Sequence, residues 1–182
     1  MKKIYILLTR SDTWISKLIN LATDDTYTHA SISFESGLQP LYSFSRECIH
    51  LPLPAGLRHE PLDYGFFKKY DTIPCALYEL EVSDEVYDTA KEEVEQMMTK
   101  RSSYRFSVLG LILCRLNIPF HRKRHFFCSQ FVSEVLARSR ALHLPKDTAL
   151  MRPNDYTTIP ELLCRFRGRL NDLLQAQVCM AT

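Results

Sequence analysis

The chain opens on an apolar run, Ile4 to Leu8, bracketed by Lys2-Lys3 and Thr9-Arg10, which reads as a short buried strand. Ser11 or Asp12 is placed to cap a helix carrying Trp14, Ile15, Leu18, Ile19 and Leu21 at helical spacing, and polar residues 23 to 28 break it. From His29 to Glu35 the pattern becomes alternating, with Ile32 and Phe34 on one face and Ser31 and Ser33 on the other. Ser36-Gly37 supplies turn chemistry, so Leu41 to Ser45 is expected to return as the partner strand of a hairpin. Prolines at 52, 54 and 61 make residues 50 to 64 read as an irregular loop.

Cys75 to Val82 is the next candidate strand. Ser83 then precedes a helix whose Val86, Ala90, Val94 and Met97 form one stripe, with acidic residues opposite. Phe106 to Leu116 reads as a mostly buried helix ended by Pro119. Cys128 to Arg138 reads as an amphipathic helix with Phe131, Val132, Val135 and Leu136 on one side, and after turn signals from Pro153 a last helical segment is expected over Leu162 to Leu174. No linker divides the chain, so residues 1–182 are expected to form one α+β domain with an antiparallel sheet packed against helices.

Composition changes this picture little. Apolar residues make up 46% and charged residues 24%, which excludes a disordered chain, and a net charge of +2 is too small to name a nucleic-acid or membrane partner. Ile4 to Leu8 is too short for a secretory core, and the longest other apolar stretch, Val108 to Cys114, is too short for a transmembrane segment, so the expected compartment is the cytoplasm. The six cysteines are scattered without a CxxC pair, which argues against a disulfide framework or a cysteine-based zinc site.

Among those cysteines Cys128 stands apart. It follows Phe126-Phe127 and begins a helix, where free backbone N–H groups and the positive end of the dipole favour a thiolate and stand ready for an oxyanion. On position alone a cysteine beside two phenylalanines is more often a core residue. A thiol nucleophile needs an imidazole within reach, and the imidazole needs a polar partner. His29, at the start of the amphipathic strand, is the candidate base. Ser43, across the expected hairpin, is the candidate orienting group, with Ser45 as second choice. His121, His125 and Cys128 make an H-x3-H-x2-C array, but it lacks a fourth ligand nearby and straddles a loop-to-helix junction, so neither a metal nor another cofactor is expected. Lys100 to His125 holds seven Lys or Arg residues and no Asp or Glu, and Arg165, Arg167 and Arg169 add a second basic cluster. Both fit solvated faces, or attraction of an anionic substrate or lipid headgroup toward Cys128.

Three blocks carry a family resemblance: Thr28-His29-Ala30-Ser31-Ile32-Ser33, Leu41-Tyr42-Ser43-Phe44-Ser45-Arg46 and Phe127-Cys128-Ser129-Gln130-Phe131-Val132. In that order, histidine strand before cysteine helix, they resemble the circularly permuted NlpC-type papain-like hydrolases, the group that includes lecithin:retinol acyltransferase. Ile6 to Arg10, Leu144-Pro145-Lys146 and Arg152-Pro153-Asn154-Asp155-Tyr156 look like flanking features of small bacterial members, so the likeness runs from about residue 4 to about residue 170. The resemblance implies a permuted papain-like fold and a cysteine-dependent acyl hydrolase of amidase or peptidase type acting on cell-wall or γ-glutamyl peptides. The alternatives it leaves are a lipid acyl hydrolase or acyltransferase, and a binding module that retains the scaffold without catalysis. The expected partner is thus a small-molecule, peptide or lipid acyl substrate. The family usually has His, Glu, Gln or Asn as the third polar residue, and the position that matches here is Ser43. A hydroxyl offers no charge to an imidazolium, and this departure is what favours the non-catalytic reading.

Overall fold

The computed structural model describes residues 1–10, 25–46, 55–62 and 72–180, so the helix expected from Ser11 or Asp12 to Leu21 lies outside the described residues. Eight strands and four helices are described: β1 (Lys2–Thr9), β2 (His29–Ser33), β3 (Leu41–Arg46), β4 (Ala55–His59), β5 (Pro74–Val82), α1 (Asp84–Thr99), β6 (Arg105–Phe106), α2 (Val108–Arg115), β7 (His125–Phe126), α3 (Cys128–Arg138), β8 (Leu163–Arg169) and α4 (Leu170–Met180). Six strands form an antiparallel sheet in the order β4-β3-β2-β1-β5-β8, and β6 pairs with β7 in a small parallel ribbon. The class is α+β.

The unbroken apolar run of β1 follows from its central place, because both faces of the sheet are covered. Ile4, Ile6 and Leu8 point into a core shared with Tyr87, Ala90 and Val94 of α1 and with Phe131, Val132, Val135 and Leu136 of α3. Tyr5 and Leu7, alternating with them, point to the opposite core with Leu77, Leu170 and Leu173. A strand buried on both sides loses the polar half of its alternation. On α1, Ser83 accepts a hydrogen bond from the Val86 N–H, and Asp84 and Glu85 sit in the first turn, where the helix dipole favours them. Among the described residues no helix is long and apolar enough to cross a membrane.

Three expectations are corrected. Residues 55–59, read as irregular loop, form β4: the prolines lie outside the strand, and Ala55 and Leu57 are buried at alternate positions, in register with Arg46 and Phe44 of β3. Leu162 to Leu174 is not one helix; Leu163–Arg169 pairs with β5 as an edge strand before α4 begins. Its alternating Arg165, Arg167 and Arg169 are the period-two signal, and charged side chains on an edge strand discourage pairing with other chains. Finally, α2 is not mostly buried, since Val108, Leu109 and Ile112 are exposed along it.

Candidate active site

Cys128 is the first residue of α3, and His29 is the first residue of β2. The residue before the helix, Phe127, has no capping side chain, so the orphan N–H groups of the first turn are open to the cysteine itself. The His29 ring and the backbone N–H groups of Ala30 and Ser129 lie close enough to the Cys128 sulfur to favour its charged form. The structure thus brings together the two residues that the sequence separates most widely among its candidates. Both are largely covered: Cys128 is 7% exposed, and the His29 side chain 14%.

The carboxylate that faces the His29 ring is Glu60, and no hydrogen bond joins the Ser43 hydroxyl to that ring among the described residues. The His29 Nε2–H donates to Glu60 Oε2 at 3.0 Å and lies 3.2 Å from Oε1, while the Ser31 hydroxyl donates to Oε2 at 2.6 Å. With Nε2 turned to the carboxylate, Nδ1 is the ring nitrogen left for the thiol. Glu60 follows directly on β4 and is fixed there by its own backbone N–H, which donates to the Leu41 carbonyl at 2.8 Å. The hairpin argument for Ser43 fails because the β2–β3 ladder comprises only Ile32–Tyr42 and Ser33–Leu41, and Ser43 pairs with Arg58 on β4. Ser43 is fully buried, and its hydroxyl favours the charged form of Glu60. It makes no well-formed hydrogen bond, however, so its hold on the carboxylate is the weakest in the cluster. Ser45 stands opposite Gly56, further along the same strand.

Electrostatics follow from this packing. Burial pushes the Glu60 carboxyl up, but the His29 charge and the hydrogen bonds from His29 and Ser31 outweigh it and hold the group at about 2. Burial pushes His29 down, and Glu60 and Cys128 together raise it well above its ordinary 6.5. For Cys128 burial again opposes charge, and the His29 charge with the two backbone N–H groups carries the thiol below its ordinary value. Each group favours the ionised form of the next, giving the order carboxylate, imidazolium, thiolate. Cys75, buried without such partners, is pushed up to about 12.

The segment Arg152 to Tyr156 ties the two halves of the site together. The Asn154 side chain accepts the Tyr27 N–H at 2.9 Å, two residues before His29. The Tyr156 hydroxyl, fully buried, donates to the Ser129 carbonyl at 2.9 Å and lies 2.6 Å from Ser133 Oγ, and Ser129 Oγ donates to the Met151 carbonyl. The first turn of α3 is therefore pinned from behind. Tyr156→Phe leaves the ring packing but strips the bonds of its hydroxyl, and a loss of about 1–3 kcal/mol in unfolding free energy is expected, read from urea unfolding.

His121 and His125 are drawn into other contacts. His121 Nε2 faces Asp147 at 2.8 Å, and His125 Nδ1 lies 2.9 Å from the Lys123 carbonyl. Arg165 is bound to Glu79 and Arg167 to the Tyr78 hydroxyl, which accounts for much of the second basic cluster. Sequence reasoning missed Glu60, and the signal was present: the alternation of 55–59 ends on a carboxylate held between His59 and Pro61. Comparison of the chain with protein-family models, with curated proteins and with solved structures finds no match.

Proposed function

We propose that this chain is a cysteine-dependent acyl hydrolase built on a circularly permuted, NlpC-type papain-like scaffold. The observation that carries the reading is the relay Cys128, His29, Glu60: a helix-terminal thiol paired with an imidazole whose far nitrogen is held by a buried carboxylate. The histidine-before-cysteine order and the antiparallel sheet against α3 support the permuted scaffold. Glu60 also offers the charge that a serine lacks, which supports a catalytic reading over a scaffold without catalysis.

In this mechanism the Cys128 thiolate attacks the carbonyl carbon of an amide or ester, and the carbonyl oxygen gains negative charge beside the α3 N-terminus. The His29 imidazolium gives its proton to the departing amine or alkoxide as the carbon–heteroatom bond breaks, leaving a thioester on Cys128. Neutral His29 then takes a proton from water, whose hydroxyl displaces the sulfur and releases the acid. Glu60 stays ionised throughout, holding the ring in orientation and stabilising its charge. Amides of peptide type are the proposed substrates, with lipid acyl groups as the second class.

The test is capture of the acyl-enzyme. Brief incubation with a p-nitrophenyl acyl ester, followed by acid quench and peptide mapping by mass spectrometry, is expected to find the acyl group on Cys128 and on no other cysteine. Acylation of the exposed Cys164 in preference to Cys128, or of no cysteine, contradicts the proposal.

A further inference from the structure

Five of the seven large apolar side chains exposed among the described residues lie within eleven consecutive positions: Val108, Leu109, Ile112, Leu116 and Ile118. Val108, Leu109, Ile112 and Leu116 fall at helical spacing along one side of α2 and the residue that ends it, with Leu109 54% and Leu116 64% exposed. The opposite side of the helix is the anchored one, with Gly110 and Cys114 buried, while Arg115, next to Val108 around the helix, is paired with Asp25 at 2.7 Å. Apolar side chains that the fold leaves in water on a single face mark a surface for something else.

The charge around this stripe says what. Arg101, Arg105, Arg122, Lys123 and Arg124 are exposed and form no ion pair among the described residues, and the stretch from Lys100 to His125 contains no carboxylate. An apolar strip flanked at both ends by unpaired cations matches a bilayer carrying anionic headgroups: apolar residues enter the acyl boundary while the cations meet the phosphates. It does not suit a second copy of the chain, because a self-complementary contact would set the same cations against one another. We infer that α2, with its flanking basic segments, is a docking surface for anionic membranes.

The surface is coupled directly to the nucleophile's segment. β6 leads into α2 and pairs with β7, which ends two residues before Cys128, and the Ser107 N–H at the start of α2 donates to the Phe126 carbonyl at 3.0 Å. Docking therefore brings the bilayer to the element that carries the thiol. Docking needs no turnover, so it is tested apart from the chemistry.

Co-sedimentation with vesicles tests it. Wild-type protein is expected to bind vesicles of phosphatidylcholine with 30% phosphatidylglycerol at least about tenfold more tightly than pure phosphatidylcholine vesicles, and to lose the preference in high salt. Leu109→Ser with Leu116→Ser should weaken binding at least about tenfold to the anionic vesicles. Arg122→Glu with Lys123→Glu, a separate pair on exposed positions, should remove the anionic preference while far-UV circular dichroism stays unchanged. Absence of wild-type binding, or equal binding by folded forms of both variants, overturns the inference. So does a concentration-dependent dimer that Leu109→Ser with Leu116→Ser dissolves, which would make the stripe an interface between copies.

Discussion

Cys128→Ala is expected to abolish hydrolysis of any substrate the protein turns over, a loss on the order of 10⁶-fold in kcat if the relay acts as a unit. None of Cys75, Cys114 and Cys164 is placed to substitute: Cys75 and Cys114 are buried and pushed up by that burial, and Cys164 is exposed on β8. His29→Ala is expected to be nearly as damaging. Without the imidazole charge, burial raises the thiol against only the two backbone N–H groups, and the leaving group has no acid. The two losses should not add, because each removes a member of one machine; the double variant should be no worse than Cys128→Ala by more than a few-fold. Steady-state turnover of the single and double variants checks this, and full activity in Cys128→Ala contradicts the thiol mechanism.

Glu60→Ala carries the second large effect. The carboxylate stabilises the His29 charge and fixes the ring, and its removal should cost about 10²–10³-fold in kcat, or roughly 3–4 kcal/mol of transition-state stabilisation. Glu60→Gln, which keeps the shape and an acceptor oxygen for the ring N–H, should recover part of that loss. Ser43→Ala should cost only several-fold, corresponding to about 1 kcal/mol, because its hydroxyl has no well-formed bond to lose. Equal losses in Glu60→Ala and Ser43→Ala would mean that the carboxylate has no special part.

Stability adds a second readout for Glu60. A carboxyl held at about 2 against an ordinary 4.5 contributes stability that is fully present above 4.5 and disappears as pH falls toward 2. His29 is raised, so its contribution is fully present below 6.5 and fades as pH rises through its folded value. Urea midpoints of wild type should therefore fall steeply on acidification below 4.5, and Glu60→Gln should flatten that fall.

Much of the site was legible because its parts are local signals. An apolar segment running into an amphipathic pattern at Cys128 set both the helix start and its charge preference, and α3 begins and ends where the pattern does. Polar-to-alternating change at His29 likewise marked the start of β2. Glu60 was hidden because its position depends on tertiary pairing: β4 is short, contains Gly56, and sits between proline-bearing segments that speak for a loop. At β8 the helical spacing of leucines competed with the alternating arginines, and pairing with β5 decided in favour of the strand. For α2 the sequence showed apolarity but not its direction, and an apolar helix on the surface reads the same as one in the core until its neighbours are known.

The relay itself is tested most directly by the ionisation of Cys128. Alkylation by iodoacetamide, followed at that residue by mass spectrometry across pH, reports the thiolate fraction. The arrangement predicts that wild-type Cys128 titrates below the ordinary thiol value of about 8.5, and that His29→Ala shifts the midpoint upward beyond it. A wild-type midpoint at or above that value, unchanged in His29→Ala, would contradict the thiolate–imidazolium pair.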